Sequence, residues 1–126
     1  EKIMTEYETK YGRKLDGILA CLEKIREKLG ITDGDVAKII GCDILEYEKI
    51  KHEKDFPEES KERAIYFIGA NMGLYDLFGN NFDAIKNWFL TEEYVLKRKP
   101  LELLLEGSRE NLMLVNERVL DMRGLR

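Results

Sequence analysis

Proline is scarce in this chain, with two residues among 126. A proline inside a helix loses a hydrogen bond and clashes with the preceding turn, so its scarcity leaves most of the sequence open to helix. Cysteine is equally sparse. Cys21 and Cys42 each sit in an apolar helical pattern, which suits small buried thiols in a reducing cytosol rather than a disulfide framework. His52 is the single histidine, and neither cysteine has the paired spacing of a zinc site, so no metal centre is expected. No apolar run approaches the roughly 20 residues of a membrane span, and no signal-peptide pattern stands at the start. The expected location is cytoplasmic, with no membrane partner. An excess of one charge is missing too: 21 Lys and Arg face 25 Asp and Glu, a net −4. That argues against a protein that coats nucleic acid, while a local basic stripe could still sit on an acidic molecule.

Catalytic chemistry is also poorly supplied. His52 lies in a charged run (Lys49, Lys51, His52, Glu53, Lys54) and reads as an exposed loop or helix end, not as a general base held in a cleft. Asp33, Gly34 and Asp35 open like a calcium loop but lack the later oxygen ligands and the closing glutamate; helix capping accounts for them better. No glycine-rich phosphate loop is present. The sequence is therefore expected to carry no catalytic residues, to need no cofactor and not to be an enzyme.

What the sequence does contain is helix. Hydrophobic residues make up 44% and charged residues 37%, enough for one core under a well-solvated surface. Residues 1–12 are charged and aperiodic, a frayed lead-in. Leu15, Ile18, Leu19, Leu22, Ile25 and Leu29 recur at three- and four-residue steps, and Gly30 stands where a helix ends. Thr32 is placed to cap a second helix bearing Val36, Ala37, Ile39 and Ile40, which Gly41 stops. Asp43 caps a third with Ile44, Leu45, Tyr47 and Ile50. Pro57, Glu58 and Glu59 open a fourth, apolar nearly all round from Ala64 to Phe78 and so expected to be buried on several sides. Beyond Gly79, Phe82, Ile85 and Phe89 share a face and Thr91 looks like another cap. Pro100 opens a short helix that ends at Gly107, and Ser108 caps a last one with Leu112, Val115 and Val119. No strand-like alternation is found, and the expected fold class is all-α.

Two short helices around a tight turn, packed on a longer first helix, form a helix-turn-helix unit. Ile25, Arg26, Leu29, Gly30, Ile31, Thr32, Val36, Ala37, Ile40 and Gly41 resemble the Xre-like family of bacterial and phage repressors. The resemblance implies that the helix after Cys42 enters the DNA major groove. Phosphates and base edges need donors, and here that helix offers Asp43, Glu46 and Glu48 beside Tyr47 and Lys49. Two readings stand: a DNA-binding unit using Lys38, Tyr47, Lys49, Lys51, His52 and Lys54, or a helix-turn-helix kept as scaffold.

A second resemblance lies downstream. Asp83, Ala84, Trp88 and Phe89 are followed by Thr91, Leu96 and the run Arg98, Lys99, Pro100, Leu101, Glu102, Leu103, Leu104. Glu106, Gly107, Val115 and a Leu120-to-Gly124 ending complete the order, which looks like the toxin-binding domain of the Xre/MbcA/ParS antitoxins. Two positions depart from that pattern: Lys97 stands where the family has glycine, and Phe89 where it has leucine. The resemblance implies a homodimer that docks on a cognate toxin, often an NAD-degrading one of the RES class. It also implies that the C-terminal end is pushed toward the toxin's active-site entrance. Trp88, Arg98, Arg118, Met122, Arg123, Leu125 and Arg126 are the expected toxin-binding residues; the rival reading of residues 123–126 is a frayed tail. The expected organisation is a helix-turn-helix domain with its connecting helix over 13–78 and a toxin-binding and dimerisation domain over 79–126. The expected function is that of a type II antitoxin that also represses its own operon on operator DNA, and the alternative is a stand-alone helix-turn-helix transcription regulator.

Overall fold

The computed structural model describes residues 14–124. The lead-in at 1–12 and two of the expected toxin contacts, Leu125 and Arg126, lie outside the described residues. Among the described residues seven helices follow one another: α1 (Lys14–Leu29), α2 (Asp33–Ile40), α3 (Ile44–Glu53), α4 (Glu58–Phe78), α5 (Phe82–Leu90), α6 (Pro100–Leu105) and α7 (Arg109–Met122). The fold is all-α. Among the described residues no helix is long and apolar enough to cross a membrane.

Local chemistry sets most of the boundaries. Gly30 takes a left-handed φ of 70°, and the amides of Gly30 and Ile31 both donate to the Arg26 carbonyl, closing the end of α1. Thr32 and Asp35 then form a reciprocal capping box, each side chain accepting from the other's backbone N–H at 3.0 Å. Asp43 and Glu46 repeat the device at the start of α3, three residues after α2 ends. Ser108 caps α7 through the Asn111 amide. Thr91 departs from expectation: it ends α5 in an extended conformation, and no helix starts there. Cys42 also sits in the α2–α3 turn and not within a helix.

Helix α4 is the central element, packed against α1, α2, α5 and α7. Leu22, Val36, Ile40, Phe67, Leu74, Phe89, Leu104 and Val115 are fully buried and belong to one cluster. Those residues come from both sides of the 78/79 boundary, so the two expected segments share a single core. At Gly73 the side chains of Val119 in α7 and of Arg123 just beyond it lie against the α4 backbone. A methyl there would lie 2.7 Å from Val119 Cγ1 and 3.1 Å from Arg123 Cδ, so only hydrogen fits without movement.

Candidate functional site

The first surface to consider is α2 and α3. Lys38, Lys49, His52 and Lys54 are exposed, as a phosphate-contacting set requires. Tyr47 is not. It is 1% exposed and packs in the core, where desolvation, followed by the Asp33 and Glu23 carboxylates, drives its hydroxyl pKa upward. Tyr47 is therefore corrected from a DNA-contact residue to a core residue. Lys51 is committed as well. Its Nζ lies 3.0 Å from Asp33 Oδ2, 3.5 Å from Glu48 and 5.0 Å above the Tyr47 ring. Burial is the largest single influence and disfavours the Lys51 charge, but the hydrogen bonds and negative charges of Asp33 and Glu48 together outweigh it, so the ammonium pKa is raised overall. The outward first turn of α3 shows Ile44, 41% exposed, and Leu45, 77% exposed. Beside them, burial and then Glu46 and Asp43 push the Cys42 thiol up to about 11, which leaves it a poor nucleophile at neutral pH.

The second surface is built around residues 91–99. Glu93 organises it. Its Oε1 accepts the backbone N–H groups of Val95 and Leu96, each at 2.9 Å, and its Oε2 accepts from Arg118 Nε at 2.8 Å. The Glu93 backbone N–H donates to the Arg98 carbonyl, and the Lys97 N–H donates back to the Glu93 carbonyl. This clamp holds an irregular segment against α7. The Glu93 side chain is 7% exposed. Burial works to raise its pKa; the hydrogen bonds from Leu96, Arg118 and Val95 together hold the carboxyl below the usual carboxylate range.

Outside the clamp the loop shows apolar surface. Tyr94 is 82% exposed and Val95 53%, with Leu90 at the end of α5 and Leu114 one turn before Arg118 also exposed. Isolated exposed leucines are ordinary; several large apolar groups around one hydrogen-bonded loop resemble a docking site. Lys97 Nζ sits 4.9 Å above the Tyr94 ring. Lys97 also adopts a left-handed φ of 62°, a conformation that favours glycine. Lys97→Gly is therefore expected to stabilise the protein by about 0.5–1 kcal/mol, and Lys97→Val to destabilise it by about 1 kcal/mol. Urea unfolding of both variants checks the opposite signs.

The structure does not bring the remaining expected toxin contacts into one cluster with this loop. Trp88 is half-buried, edge-on to Phe89 with ring centroids 5.3 Å apart. Arg98 reaches Glu106 at 2.7 Å. Met122 packs partly buried against the core. Arg123 pairs with Asp76 at 3.1 Å and lies across Gly73, so it is tied to α4 and is not part of a frayed tail. Sequence reasoning missed Glu93, and it also missed Arg63. The Arg63 guanidinium rests against Gly41, donates to the Gly107 carbonyl at 2.9 Å and to Glu59 at 2.8 Å, and so ties the α2–α3 turn to the α6–α7 turn. Compared with protein-family models and with curated proteins, the chain matches none.

Proposed function

We propose that this protein is the antitoxin of a type II toxin–antitoxin pair, acting as a homodimer that binds its cognate toxin directly. The toxin implied by the resemblance is an NAD-degrading enzyme of the RES class. The observation that carries the proposal is the Glu93-clamped loop, which leaves Tyr94 and Val95 exposed, with Leu114 exposed on the helix that carries its Arg118 partner, within the segment resembling the toxin-binding domain. Pre-ordering a loop lowers the entropy cost of docking, and aromatic anchors dominate binding energy. The left-handed Lys97 supports the reading too, since it occupies the position where that family has glycine. Operator binding rests on less. Lys38, Lys49, His52 and Lys54 are exposed and favour the alternative of a helix-turn-helix regulator, but Glu46 and Glu48 share α3 with them.

The test is co-purification with the product of the neighbouring gene, together with rescue of growth when that product is expressed. Truncation before Arg118 is a poor probe, because it removes Arg118 from Glu93 and Val119 from the core. Tyr94→Asp combined with Leu114→Asp changes two exposed positions instead. The expected result is an unchanged melting temperature with binding weakened at least about 100-fold, as for two lost interface anchors. If the parent protein neither binds the neighbour nor protects cells, the antitoxin reading falls, and operator binding then tests the regulator.

A further inference from the structure

A half-enclosed groove of about 400 Å³ runs between α1, α4 and α5, away from the Glu93 loop. Its apolar wall includes Ile25, Ile68, Met72, Tyr75, Phe82 and Ile85. A volume of that size falls within the roughly 300–1,000 Å³ of small-molecule sites. The polar groups on it are few and unevenly placed. Lys24 and Lys28, one turn apart on α1, stand at its edge, and none of the lining residues is acidic. Lys28 Nζ lies 4.3 Å above the Phe82 ring, which holds the ammonium at the mouth. A third cation, Lys86 of α5, reaches over Gly30 at the same end of α1. Asn71, itself buried, contributes an amide to the lining, with its Nδ2 donating to the Phe67 carbonyl at 2.9 Å.

An apolar trough with cations at one lip is complementary to a ligand that is greasy along its length and negative at one end. We infer that the groove binds a small amphipathic monoanion, an alkyl or aryl chain bearing one carboxylate, with the chain against Ile25, Met72 and Ile85 and the head group at Lys24 and Lys28. Area burial sets the chain-length dependence: each added methylene is worth about three- to fourfold in affinity. The two lysines set the charge preference, and as partly solvated pairs they contribute together about three- to tenfold.

Cys21 lines the groove but is only 8% exposed, so its slow labelling reports opening of that wall, which a bound ligand should slow further. In the full chain carrying Cys42→Ser, the rate of maleimide labelling at Cys21 is measured against decanoate, octanoate, decan-1-ol and decyltrimethylammonium, all below micelle formation. Decanoate is expected to slow labelling saturably, about tenfold more tightly than octanoate and more tightly than the neutral or cationic chain, while raising the melting temperature. Lys24→Gln with Lys28→Gln should weaken decanoate about three- to tenfold. Ala20→Trp, at an exposed position on the lip, should fold normally and remove protection. The inference is overturned by an absence of saturable protection, by equal protection from the cationic chain, by retention of protection in Ala20→Trp, or by a fall in melting temperature with decanoate. Binding of a toxin enters none of these readouts, so the site stands or falls apart from the proposed function.

Discussion

Replacing Arg118 by alanine is expected to destabilise the protein by about 3 kcal/mol at neutral pH, a large part of the roughly 5–15 kcal/mol that holds a small domain together. The loss comes from what is left behind more than from what is removed. Glu93 is 7% exposed at its side chain, and without the guanidinium its carboxylate keeps only the Val95 and Leu96 amides. An uncompensated buried charge is expensive, whereas a buried pair is worth little over a neutral one. Changing the carboxylate as well should therefore help: Glu93→Gln with Arg118→Ala is expected to be about 1 kcal/mol more stable than Arg118→Ala alone. If the double variant is the less stable of the two, the charge is not the cause.

The same pair fixes a pH dependence. The folded-state pKa of Glu93 is lowered from the ordinary value of 4.5, so its stabilising contribution is complete above that value and is lost as pH falls through the lower folded value. Removing Arg118 leaves desolvation, the largest influence, opposed by two amides alone. The gap in stability between parent and Arg118→Ala should thus be widest near pH 7 and narrow as pH falls from the variant's folded Glu93 pKa through the parent's lower one. Thermal unfolding of both proteins between pH 3 and pH 7 measures it.

These outcomes turn on residues the linear sequence does not advertise. Helix boundaries were legible because their causes are local: Gly30, Gly41, Gly79 and Gly107 all take positive φ at helix ends, and Thr32, Asp43 and Ser108 cap through residues three positions on. Glu93 is different. A glutamate between Thr91 and Tyr94 reads as solvated loop, and its burial depends on Arg118, 25 positions away. Arg63 sits in a charged stretch with Lys61 and Glu62, and its partner carbonyl at Gly107 is 44 positions distant. Tyr47 was misread for another reason. It shares a three-residue step with Ile50 and therefore a helix face, but its polar tip and the neighbouring lysines suggested a groove-facing residue; the step was the better guide. The candidate docking surface was legible only as a segment, through the order Trp88, Arg98, Pro100. Which of its side chains face outward is decided by the Glu93 clamp.

Phe89→Ala carries the largest expected effect of any single change considered, about 3–5 kcal/mol. The side chain is wholly buried, sits edge-on to Phe67 at 6.3 Å between ring centroids and to Trp88 at 5.3 Å, and anchors α5 to α4 just before the chain enters the loop. Truncation leaves a cavity and also forfeits the aromatic pairing, worth about 0.5–1.5 kcal/mol beyond the area lost. In a domain of this size the melting temperature should fall by about 10–20 °C. Phe89→Leu keeps most of the volume and should cost only about 1–1.5 kcal/mol. Trp88, the one tryptophan in the chain, reports the local consequence. With its edge contact gone, the half-buried indole should move into water and its emission shift to the red in Phe89→Ala, with a smaller shift in Phe89→Leu. A loss below about 1.5 kcal/mol in Phe89→Ala, with emission unchanged, would mean that the α4–α5 packing tolerates the cavity by collapse. The Tyr94 and Val95 surface would then rest on the Glu93–Arg118 clamp alone. A loss within the expected range, accompanied by the red shift, makes that surface an extension of the core, held from one side by Phe89 and from the other by Arg118.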